Sequence, residues 1–157
     1  MRIHIATDHA GMELSAFLVR ELSAMGHQVM DHGPKIYDPL DDYPGFCIAA
    51  AKAVVEDQTA GIEALGIVLG GSGNGEQIAA NKVQGIRAAL IWNEETAALA
   101  RDHNDANVCA VGARQHSQEE VLELVKIFVS RPFSEDERHV RRIGKIAVFE
   151  ETGEVIY

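Results

Sequence analysis

The stretch Leu65-Gly66-Ile67-Val68-Leu69-Gly70-Gly71-Ser72-Gly73-Asn74-Gly75-Glu76-Gln77 runs from an apolar segment through four glycines in six residues into the start of a helical pattern. Leu65 to Leu69 reads as a buried strand, and the segment after the loop reads as a short helix to about Lys82. A strand, a glycine-rich turn and a helix in this order point to a parallel sheet whose ligands gather beyond the carboxyl ends of the strands. The flanking sequence repeats the alternation. Strands are expected at Arg2 to Thr7, Gln28 to Asp31, Ile86 to Trp92 and Asn107 to Val111. Helices are expected at Ala10 to Met25, near Phe46 to Glu56, and from about Glu94 to Asp102, with two more closing the chain. In the first helix Leu14, Phe17, Leu18, Leu22 and Met25 share one apolar face, ended by Gly26. Both closing helices carry an S-x-x-E capping pattern, Ser117 with Glu120 and Ser134 with Glu137. The expected fold is a single α/β domain: a three-layer α/β/α sandwich around a five-stranded parallel sheet, Rossmann-like.

The glycine loop invites a phosphate reading, which its own residues limit. The dinucleotide pattern G-x-G-x-x-G fails, because its last position falls on Glu76 from Gly71 and on Ile78 from Gly73. The G-x-x-x-x-G of a nucleotide-triphosphate loop fits from Gly70 to Gly75, yet Glu76-Gln77 follow where Lys and Ser/Thr are needed. A carboxylate there repels phosphate. The same carboxylate beside a row of backbone N–H donors could serve as a general base next to an oxyanion site. It could equally be a favourable first-turn acid on the helix dipole. The residues alone leave both open.

Charge and composition narrow the partners. The 157 residues carry a net charge of −10, which argues against polyanionic nucleic acid and anionic membrane surfaces. Residues 131 to 145 form a local exception of +2, with Arg131, Arg138, Arg141, Arg142 and Lys145 against Glu135, Asp136 and Glu137. Such an island suits a compact anion. Arg138 and Arg142, at i and i+4, share a helix face and can fork onto one phosphate, while Arg131, Arg141 and Lys145 are assigned to solvent. Arg114, after the fifth strand, is a third cation of this kind. Cys47 and Cys109 lie in apolar surroundings without a CxxC motif and read as buried, inert thiols. His4, His27, His32 and His116 have no companions at metal-ligand spacing, so no metal is expected. The N-terminus lacks the apolar run of a signal peptide and no segment reaches membrane-span length, so the expectation is cytoplasmic.

Taken together, Asp8-His9-Ala10-Gly11, Asp42-Tyr43-Pro44, Gly70 to Gly75 with Ala79-Ala80-Asn81-Lys82, His103-Asn104-Asp105-x-Asn107 and Arg138-His139-x-x-Arg142 resemble type B ribose-5-phosphate isomerases. That resemblance implies cofactor-free interconversion of ribose 5-phosphate and ribulose 5-phosphate by a homodimer with sites at the subunit interface. Much of that family has a cysteine base where Gly70 stands here. The sequence is similar instead to a glutamate-using branch, which implies Glu76 as base. The resemblance further implies Ser72 and the backbone of Gly71, Gly73, Asn74 and Gly75 around the substrate oxygens. It gives His103 to ring opening, Asp8 to the sugar hydroxyls, Asn104 to orientation, and His9, Arg114, Arg138 and Arg142 to phosphate. The last helix, about 134–150, is expected at the dimer interface. Two rivals are isomerisation of a six-carbon sugar phosphate such as allose or galactose 6-phosphate, and non-catalytic sugar-phosphate binding.

Overall fold

The structure is a computed structural model describing all of residues 1–157. Five parallel strands form one sheet: β1 (Arg2–Ala6), β2 (Gln28–Asp31), β3 (Ala64–Gly70), β4 (Ala88–Leu90) and β5 (Val108–Gly112), in the spatial order β2-β1-β3-β5-β4. Helices α1 (Met12–Ala24), α2 (Tyr43–Thr59), α3 (Asn74–Ala80), α4 (Glu94–Asp102), α5 (Gln118–Ser130) and α6 (Glu137–Thr152) complete the chain. The three-layer α/β architecture expected from the alternation is present.

The pleat sorts each strand between two apolar cores. Ile3 and Ile5 of β1, Leu65, Ile67 and Leu69 of β3, and Cys109 and Val111 of β5 face α1, α4 and α5. Ala6, Val68, Val108 and Ala110 face α2 and α3 instead, against Cys47, Ala51, Val54 and Ala80. Strands buried on both faces must be apolar throughout, and every residue of β3 is buried. No helix is long and apolar enough to cross a membrane.

Local chemistry moves several boundaries. A 3-10 turn at His9–Gly11 precedes α1, with Asp8 capping it by accepting from the Ala10 N–H. Met25, expected on the buried face of α1, is instead the helix cap and is exposed. Strand β4 is shorter than Ile86 to Trp92, and Trp92 N donates to Thr96 Oγ1 instead of continuing the ladder. The amide of Asn81 accepts from Ala88 N at 2.8 Å and donates to Ala88 O at 2.9 Å, imitating a strand on the open edge. Arg87 N likewise donates to Asn107 Oδ1.

The Ser117–Glu120 capping box is formed, whereas the Ser134–Glu137 box is not. Helix α6 starts at Glu137 with Asp136 as its cap residue, and the Ser134 hydroxyl donates to Asp102 O at 2.6 Å. Asn93 and Thr96 form a capping box on α4 that lies outside the S-x-x-E pattern. Arg131 is another correction. It is a fork on Asp102, with Nε at 2.7 Å from Oδ1, rather than a solvated charge.

Candidate active site

Because all five strands run the same way, their carboxyl ends lie together, and the strand order reverses direction between β1 and β3. A crevice at such a point is the expected ligand site of an open α/β sheet. Asp8 follows β1 there, and the glycine loop follows β3.

Gly70 ends β3, and Glu76 folds back over it. A Cβ placed on Gly70 would lie 1.8 Å from Glu76 Oε1 and 2.1 Å from its Cδ, so the carboxylate occupies the space that a side chain at position 70 would need. Gly73 turns the loop into α3 with a φ of 82°, a left-handed conformation that L side chains adopt rarely. It also packs against the backbone of Val111 and Gly112. Glu76 thereby enters the first turn of α3 with its side chain buried. Burial raises its pKa above the usual carboxylate range, and the negative charge of Asp8 adds to the rise. The N–H groups of Glu76 and Gly73 pull the other way.

Around this buried acid the structure gathers most of the expected residues from the carboxyl end. Asp8 is buried. Ser72 Oγ lies 3.3 Å from the amide nitrogen of Asn74, at the exposed rim of the loop. Arg114 reaches over Gly71, its Nη1 3.5 Å from where a Cβ would be. The phenol of Tyr43 lies against Gly75. Cys47 borders the same carboxylates. Burial first, then the charges of Glu76 and Asp8, push its thiol up to about 12, in line with an inert role. The thiol of Cys109 is also pushed up, by burial.

His9 stands beside this group on a partner that sequence reasoning missed. Its Nδ1 lies 2.6 Å from Asp41 Oδ1, and its backbone N–H donates to the same oxygen at 3.0 Å. The other oxygen, Asp41 Oδ2, is buried without a partner. One ligand atom each from Asp8, His9 and Asp41 falls within 4.8 Å of the others, a constellation that no spacing rule found because Asp41 is 32 residues from His9. The adjacent Asp42-Tyr43-Pro44 motif was the available signal.

The other expected residues are elsewhere. Helix α4 leaves the carboxyl end and returns, so His103 and Asn104 emerge at the amino end of the sheet, beside Arg87 and Asn107. Asp105 explains its place in the H-N-D-x-N motif. With a φ of 42°, it receives Arg87 at 3.0 Å and Arg101 at 2.8 Å and so fixes the turn after His103. Asn107 donates to Gly85 O and to Gln58 Oε1. Arg138 and Arg142 project from the first turns of α6 and are exposed. Helix α6 crosses the same amino end, with Glu150 accepting from Gly85 N at 3.0 Å. One chain thus holds two clusters, Asp8–His9–Glu76–Arg114 and His103–Asn104–Arg138–Arg142, at opposite ends of its sheet.

Comparison with known proteins identifies the family. The family described as Ribose/Galactose Isomerase matches residues 3–146. Ribose-5-phosphate isomerase B of Mycolicibacterium paratuberculosis is 52% identical over 152 residues, covering 97% of this chain and 93% of the relative. The Mycobacterium tuberculosis protein of the same name is 51% identical over 154 residues, covering 98% and 93%. Among solved structures, ribose-5-phosphate isomerase B of Mycoplasma genitalium with bound ribulose-5-phosphate superposes with a TM-score of 0.89 at 38% identity, over 96% of this chain and 97% of that one. Type B ribose 5-phosphate isomerase of Trypanosoma cruzi gives 0.89 at 38% identity, over 98% of each. The chain belongs to the ribose/galactose isomerase family.

Proposed function

We infer that this protein is an aldose–ketose isomerase that interconverts ribose 5-phosphate and ribulose 5-phosphate. The names of its relatives support the substrate, and the buried carboxylate of Glu76 over Gly70 is the observation that carries the chemistry. Isomerisation moves a proton between C2 and C1 through an enediolate. A base near that carbon pair must be desolvated enough to accept a proton and give it back, and the raised pKa of Glu76 suits both directions. Charge developing on the substrate oxygen needs preorganised donors, for which Ser72 and the N–H groups between Gly71 and Gly75 are available at the rim. Asp8 serves the sugar hydroxyls, and Arg114 offers positive charge to the phosphate end, with His9 as a further contact.

Ring opening and the rest of the phosphate site call for His103, Asn104, Arg138 and Arg142. Their position at the opposite end of the sheet supports a homodimer in which each site takes its base from one copy and this second cluster from the other. Helix α6 suits the contact: His139 is its only buried residue, while Val140, Ile146 and Phe149 are exposed.

The test is Glu76→Gln. The substitution keeps shape and removes the base, so kcat on ribose 5-phosphate should fall by about two to four orders of magnitude with the fold intact. A variant that turns over like the wild type would remove Glu76 from the reaction and return it to the first-turn acid reading. Parallel assays on allose and galactose 6-phosphates decide the carbon number; a clear six-carbon preference would overturn the five-carbon assignment.

A further inference from the structure

His139 belongs to the Arg138-His139-x-x-Arg142 motif, yet neither the sequence reading nor the proposed reaction gives it a task. It is 4% exposed on a helix whose other residues are half-buried or exposed. Its ring lies on that of His103, with centroids 4.2 Å apart and planes 16° from parallel. At its edge, Nε2 accepts a hydrogen bond from Arg138 Nε at 3.2 Å. One side chain therefore touches the imidazole expected to open the sugar ring and a guanidinium expected to hold the phosphate.

We propose that His139 is a positioning residue for this reaction: stacked on His103 and bonded to Arg138, it holds the imidazole plane and the guanidinium in register for one substrate. The inference rests on the isomerase reading above.

The chemistry of the contact is directional. An Nε2 that accepts carries no proton, so His139 is neutral, with its proton on Nδ1. Its surroundings favour that form. Burial is the main cause, and His103, Arg138 and Arg142 all oppose an imidazolium; Asp136, 3.9 Å away, pulls the other way. Across the contact, Asp102 at the end of α4 is already engaged by Arg131. With Nε held by His139 and Nη2 only 3.8 Å from the exposed Asp136 Oδ2, the terminal nitrogens of Arg138 can turn from that loose pair to fork onto an anion. Protonation of His139 would end its acceptance from Arg138 and place a second cation beside His103.

Two variants separate the contacts. His139→Phe keeps an aromatic face for His103 and removes the acceptor, so KM for ribose 5-phosphate should rise roughly five- to tenfold with kcat within about twofold. His139→Gln keeps an acceptor and removes the ring, so kcat should fall by a similar factor while KM holds. In the wild type, KM should also rise at acid pH, below the ordinary histidine range, and the Phe variant should lose that limb. If kcat and KM move together in both variants, in step with melting temperature or dimer dissociation, His139 is only an anchor for α6 and the proposal fails. It fails equally if both variants stay within twofold of wild type. His103→Asn, assayed alongside, separates the two levels. A silent His103 variant removes the ring-opening role and the positioning role with it, whereas a damaged His103 variant beside silent His139 variants removes the positioning role alone.

Discussion

Replacing Gly70 by alanine should leave the protein folded and largely inactive, and the structure supplies the magnitude. The new methyl carbon would stand 1.8, 2.1 and 2.7 Å from Oε1, Cδ and Oε2 of Glu76. Ordinary contact distances are about 3.5 Å, so the carboxylate must withdraw by roughly 1.5 Å. The backbone suffers little, since Gly70 lies in regular strand pairing with Gly112 that alanine accepts. Reduced freedom of the unfolded chain returns about 0.4–1 kcal/mol, offsetting part of the cost of moving Glu76. Stability should thus change modestly, by a few degrees in Tm. Catalysis is less forgiving, because displacing a reacting group by about 1 Å costs on the order of 100-fold, or about 2.7 kcal/mol in the barrier. The assay is ketose formation from ribose 5-phosphate with a thermal melt on the same sample. Gly45→Ala in α2, where a Cβ would meet nothing within 4 Å, is the control. A folded Gly70→Ala protein with kcat within about threefold of wild type would refute the placement of Glu76 as base.

Three other outcomes are expected. The raised pKa of Glu76 means its contribution to stability is fully present below the unfolded-state pKa and is lost as pH rises through the folded value. Glu76→Gln should therefore melt above the wild type near about pH 8, with the gap closing toward about pH 4; a gap that widens on acidification would contradict the burial argument. The thiols of Cys47 and Cys109 should resist a disulfide reagent in the native protein and react after denaturation, and rapid native labelling would contradict their burial. Activity should survive exhaustive chelation. A loss restored by a divalent cation would convert Asp8, His9 and Asp41 into a metal centre.

The layers were legible because strand and helix periods are local signals, repeated five times along the chain. The placement of Glu76 beside the glycine loop was legible for the same reason: the acid and the loop are contiguous. Misreadings arose where a side chain found a distant partner. Ser134 looked like a cap until its hydroxyl met the carbonyl of Asp102, 32 residues away. Strand β4 lost its ends to the side chains of Asn107 and Thr96, which take the N–H groups of Arg87 and Trp92. The roles of Asp41 and His139 depend on His9 and His103, at separations of 32 and 36 residues, so the motifs that contain or border them could be quoted but not interpreted. The position of His103 and Asn104 at the amino end followed from chain direction once α4 was placed, and only the sheet made that visible.

The proposed division of each site between two copies of the chain has a genetic consequence. Two defective alleles, one lacking Glu76 and the other lacking Arg138, need not be dead together. In a mixed pair, one site inherits both defects and the other inherits neither, so co-expression should recover about a quarter of wild-type turnover from random pairing. On the same proposal, activity per chain should fall on dilution, since a lone chain would hold two halves at opposite ends of its sheet.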